Sequence, residues 1–69
     1  MMEKLIEMLD YYVNACARAQ AFATQRTFYD QATGAMQMYC YLNITDEAKV
    51  LPLWDETYRP RFEKLVYGI

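Results

Sequence analysis

Ala19-Gln20-Ala21-Phe22-Ala23-Thr24-Gln25-Arg26-Thr27-Phe28-Tyr29-Asp30 is the stretch whose reading decides the fold. Upstream of it, residues placed 100° apart, as on an α-helix, sort cleanly. Leu5, Ile6, Leu9, Tyr12, Val13, Cys16, Ala19 and Ala23 fall on one side, and Glu3, Glu7, Asp10, Asn14, Arg18 and Gln25 on the other. That pattern predicts an amphipathic helix from Met2 to Ala23. Downstream, Phe28, Tyr29, Ala32, Ala35, Met36, Tyr39 and Leu42 form a second stripe and predict a helix over 28–42. On one continuous wheel the second stripe lies roughly 150° from the first. An unbroken helix would therefore turn its apolar side over within this stretch, whereas a break gives a helical hairpin. Thr27 with Asp30 three residues later resembles a capping box and places the start of the second helix there. No Gly or Pro stops the first helix. The alternative is thus one helix of about 40 residues, ~60 Å long, paired with a C-terminal helix in a dimer.

Working outward, alanine recurs at Ala15, Ala17, Ala19, Ala21 and Ala23. Alanine is a poor strand former and the best helix former, so the alternation marks a slim helix that a neighbour can approach closely. Gly34, inside the second helix, costs about 1 kcal/mol relative to alanine. It shares a secondary face with Met38 and Tyr41, and is either a tolerated glycine or a site of close helix approach. Asn43 accepts the left-handed conformation of a helix stop. Thr45, with Asp46 and Glu47 behind it, reads as the cap of a new helix. Pro52 then either opens the next helix or bends a continuous one. Leu51, Trp54, Tyr58, Phe62, Leu65 and Ile69 form a third stripe, with Glu56, Arg59 and Glu63 opposite. Its phase holds across Pro60, which predicts a kinked helix running to Tyr67 and capped by Gly68. The expected fold is all-α: a single small domain over 1–69, built as a helical hairpin plus a third, kinked C-terminal helix.

Composition bounds the function. The 69 residues are 55% apolar and 16% aromatic, with only two glycines and two prolines, which excludes a disordered chain and disfavours a loop-rich or all-β one. Nine acidic and seven basic residues give a net charge of −2, without the basic patch that nucleic acid requires. No apolar run reaches the ~20 residues of a membrane span, and the start lacks the basic and apolar blocks of a signal peptide. The expectation is a cytoplasmic protein with no nucleic-acid or membrane partner. In that compartment Cys16 and Cys40 are expected to be reduced and buried.

Without histidine there is no Ser-His-Asp or Cys-His arrangement, and two cysteines cannot close a zinc site. Serine is absent, and no phosphate loop, CxxC or dinucleotide fingerprint occurs. Glu3, Glu7 and Asp10 share a helical face, and Asp55 and Glu56 are adjacent, but these positions read as solvated carboxylates rather than a catalytic or metal site. No cofactor and no enzymatic activity are expected.

Seven tyrosines exceed what one small core can satisfy at its hydroxyls. Tyrosine and tryptophan are enriched at interfaces, and a core this short supplies only about 3–5 kcal/mol, so extra burial in a partner is expected. The plainer reading puts each tyrosine at the core edge with its hydroxyl in water. Trp54, Tyr58 and Phe62 are first of all a core cluster, with Arg61 placed to stack on Trp54. The leading expectation is a small interaction or regulatory protein acting as a homodimer or through a protein partner, with Tyr11, Met38, Tyr41, Trp54 and Tyr58 as candidate contact residues. A second is a small-molecule binder with an apolar pocket lined by Met36, Tyr39, Trp54 and Phe62. A third is an acidic partner of a basic toxin or nucleic-acid enzyme.

Overall fold

The computed structural model describes residues 2–68. Helix α1 spans Met2–Arg18 and α2 spans Phe22–Leu42. A 3-10 turn, Ile44–Asp46, leads into α3, Glu47–Leu53. A π turn, Trp54–Tyr58, joins α3 to α4, Arg59–Tyr67, in one uninterrupted third helix. No strand occurs among the described residues. The fold is all-α, a helical hairpin with the third helix laid against it, measuring 36 × 19 × 16 Å.

The hairpin forms, but its break sits earlier than Thr27. Helix α1 stops at Arg18 and the chain reverses over Ala19–Ala21, with Ala21 extended (φ −95°, ψ 135°) ahead of α2. The stop comes from a side chain of the next helix. The Gln25 carboxamide donates to the Ala19 carbonyl at 3.1 Å and to the Cys16 carbonyl at 3.4 Å, satisfying the open end of α1. Thr27 is no cap. Its hydroxyl donates back to the Ala23 carbonyl at 2.9 Å, inside α2. Ala23, assigned to the first stripe, instead lies exposed on α2.

The second connection also differs in detail. Asn43 ends α2 with φ −132° rather than in the left-handed region, and both its backbone N–H and its side-chain amide donate to the Tyr39 carbonyl, at 2.8 and 3.1 Å. Thr45 makes no capping bond; it lies within the 3-10 turn, and α3 begins without a side-chain cap. The Tyr39 hydroxyl donates to Asp46 Oδ2 at 2.7 Å and fixes the turn to the end of α2.

The third helix buries Val50, Trp54, Tyr58, Phe62 and Val66, every fourth residue without exception. On a regular α-helix a spacing of four drifts by 40° per step, about 160° from Val50 to Val66. The π turn removes much of that drift by absorbing an extra residue, as the Arg59 N–H donates to Trp54 O, five residues back. Pro60 gives the reason for its position: in a regular α-helix its ring would strike the Glu56 carbonyl, and widening the preceding turn relieves that clash. The stripe expected from the sequence is corrected accordingly. Leu51 is exposed and Leu65 only half-buried, Val50 and Val66 take the core positions, and Ile69 lies outside the described residues. Gly68 caps the helix in the left-handed conformation (φ 75°), with its N–H on the Lys64 carbonyl at 3.0 Å.

All three helices contribute to one core. Leu5, Leu9, Val13 and Cys16 come from α1, and Ala32, Met36 and Cys40 from α2. Tyr29 stacks on Phe62 with ring centroids 5.2 Å apart, and Trp54 packs against both rings.

Candidate functional site

The five candidate contact residues do not share one surface. Trp54 and Tyr58 are each only 4% exposed and belong to the core. The four-residue spacing that places them on one stripe is the spacing the π turn buries. Arg61 stacks on Tyr58, 5.8 Å from the ring centroid, rather than on Trp54. Tyr11 is exposed on α1, opposite the Leu5–Leu9–Val13 stripe, with its ring edge-on to Tyr12. Met38 and Tyr41 are exposed on α2, opposite the Ala32–Met36–Cys40 stripe. Since α1 and α2 bury their stripes in one core, these two outer faces point away from each other, and Tyr11 stands apart from Met38 and Tyr41.

Helix α2 is the exceptional element. Its only charged residues are Arg26 and Asp30, which pair with each other at 3.5 Å near its start. From Gln31 to Thr45 the chain carries no charge at all. A surface helix ordinarily presents charged and polar groups opposite its buried stripe. This one presents Gly34, Met38, Tyr41 and Leu42, the last three 58–77% exposed. A groove of about 580 Å³ runs along this face, lined by Gly34, Gln37, Met38 and Tyr41. A second, about 410 Å³, continues past Tyr41 to Leu51 and Glu47 on α3. A Cβ built on Gly34 meets nothing within 4 Å, so no contact inside this chain calls for a glycine there. The whole chain exposes 4698 Å², close to the ~4,500 Å² of a compact monomer of this mass. The surface is therefore ordinary in extent and unusual in what it exposes. Sequence reasoning placed Gly34 with Met38 and Tyr41, but passed over the signal that joins them, an uncharged run of fifteen residues from 31 to 45.

The remaining shifted groups owe their shifts to burial and to hydrogen bonds within the chain. Burial pushes the Cys16 and Cys40 thiols up, and both are free and buried. Asp10 accepts the Tyr58 hydroxyl at 2.6 Å; burial, and then that bond, push Tyr58 up to about 12. The bond to Asp46 pushes Tyr39 up to about 12. Among the described residues, no three His, Cys, Asp or Glu side chains gather as a metal site. Trp54 and Phe62, expected to line a ligand pocket, pack on Tyr29 instead. Among the described residues, no helix is long and apolar enough to cross a membrane. Compared with protein families, with curated proteins and with solved structures, the chain matches none.

Proposed function

We propose that this chain is a small, non-enzymatic interaction protein that works by docking the outer face of α2 onto a protein surface. The observation that carries the reading is the uncharged face around Gly34, Met38 and Tyr41, exposed on a helix that a solvated role would have furnished with charges. A tyrosine beside a flexible methionine suits such a surface, because both offer large apolar area that adapts to a partner. Two grooves meeting at Tyr41 give that partner's side chains somewhere to sit.

The test is a photo-reactive residue in place of Tyr41, with the same residue in place of exposed Glu56 as control. Cross-linked protein products, to another chain or to itself, are expected from position 41 and not from position 56. A chain that cross-links to nothing through position 41 overturns the reading.

A further inference from the structure

We infer that the occupant of this face is a second copy of the same chain, held as an antiparallel α2–α2 pair whose two-fold axis passes close to Met38. The inference rests on the interaction reading above and adds the partner to it.

Three observations lead there. The first is charge. Each chain carries a net charge of −2, yet the stretch from Gln31 to Thr45 carries none, so the centre of an α2–α2 pair is free of like charges, and the nearest ones, the Arg26–Asp30 pair and Glu47, lie at its ends. A partner chosen by charge finds no counter-charge to grip.

The second is register. In an antiparallel pair whose two-fold axis passes between Gln37 and Met38, Met38 packs beside its own copy at the centre, and Gly34 of one chain lies across from Tyr41 of the other. The smallest residue on the face thus faces its largest, and each tyrosine enters the groove that the opposing Gly34 leaves open. Such an interface is isologous: one patch serves both sides and closes the assembly at two copies. It also supplies the reason for Gly34 that is missing within one chain.

The third is area. At roughly 200 Å² for a fully exposed large side chain, Met38, Tyr41, Leu42 and Leu51 offer about 500 Å² per protomer at their observed exposures. Two copies then bury about 1,000 Å², the floor for a specific interface, before Gln31, Gln37 and Ile44 add a rim.

The experiment is sedimentation equilibrium of the purified full chain from about 1 µM to about 1 mM. A mass rising to twice 8.2 kDa is expected. Met38→Glu sets two like charges together at the axis and should weaken the dimer at least about 100-fold. Unchanged helical circular dichroism shows that this exposed substitution leaves the fold intact. Met38→Cys should cross-link to its own copy under mild oxidation, and Tyr11→Cys should not. A wild-type monomer throughout the range overturns the second copy as occupant; loss of the position-41 cross-link to another protein on Met38→Glu would then keep the interaction reading alone. A dimer indifferent to Met38→Glu, with no cross-link from position 41, overturns both.

Discussion

The Tyr58 hydroxyl donates a 2.6 Å hydrogen bond to Asp10 Oδ1, tying the π turn of the third helix to α1 across 48 residues of chain. Tyr58 is buried and Asp10 half-buried, so water replaces the lost partner only in part. Tyr58→Phe should therefore cost about 1–2 kcal/mol. Thermal unfolding followed by circular dichroism checks it, at about 4–8 °C per kcal/mol for a domain of this size. The same bond sets an alkaline limit. Tyr58 rises from its usual 10 to about 12 in the folded chain. Below pH 10 both states keep the proton and the contribution is complete. Between pH 10 and about 12 the unfolded chain ionises first, so stability falls as pH rises and is lost beyond the folded value. Tyr39, held by Asp46, follows the same course. The Tyr58→Phe chain should therefore lose melting temperature less steeply than wild type over that interval. Equal slopes would show that Tyr58 ionises as freely folded as unfolded.

The hairpin break makes a second, paired prediction. Gln25→Ala removes the two donations that close the end of α1 and should cost about 1 kcal/mol, the usual value of a helix cap. Thr27→Ala removes only a solvent-exposed bond within α2 and installs a better helix former, so it should change stability by no more than a few tenths of a kcal/mol. Chemical denaturation of both variants decides between the caps. A larger loss at Thr27 than at Gln25 would return the break to the capping-box position.

These residues show how far the sequence could be read. The phase jump between the Leu5 and Phe28 stripes favoured a hairpin over one long helix, because burial on one face is a period visible in the chain itself. Its position was not legible, because the residue that ends α1 is Gln25, which reaches back from the next helix. The third helix hid for a related reason. Leu51, Trp54, Tyr58 and Phe62 fit an ordinary helical stripe closely enough to conceal the strict spacing of Val50, Trp54, Tyr58, Phe62 and Val66, which only a locally widened helix can bury. Aromatic identity likewise could not sort core from surface: Trp54 and Tyr41 look alike as large apolar residues and lie at opposite extremes of exposure.

That contrast is itself testable. Trp54 is enclosed by Tyr29 and Phe62, with ring centroids 6.2 and 6.0 Å away. Trp54→Ala should cost about 3–5 kcal/mol, comparable with the whole stability available to a core of this size, and leave the chain largely unfolded at room temperature. Tyr41→Ala, made on the 77% exposed residue, should stay within about 0.5 kcal/mol of wild type at low protein concentration. Urea unfolding of the two variants side by side measures both. A folded Trp54→Ala chain would mean that the cluster can collapse around the missing ring.

The π turn and Pro60 should prove to be one feature. Deleting exposed Glu56 removes one residue from the widened turn and lets Val50, Trp54, Phe62 and Val66 share a face on a regular α-helix. With Pro60 still present, that regular helix drives the proline ring into the carbonyl four residues back and lacks one N–H, a penalty of about 3 kcal/mol. The deletion alone should therefore be strongly destabilising. Combined with Pro60→Ala it should recover most of the loss, since alanine restores the donor and removes the clash while every buried side chain keeps its place. Pro60→Ala alone should leave the π turn in place, because tightening it would rotate Val50 and Val66 away from the core they share. Melting temperatures of the three variants form a double-mutant cycle. Strongly favourable coupling between the deletion and Pro60→Ala is the expected result. Additive losses would mean that the widened turn is held by the packing of Trp54 and Tyr58 without regard to the proline.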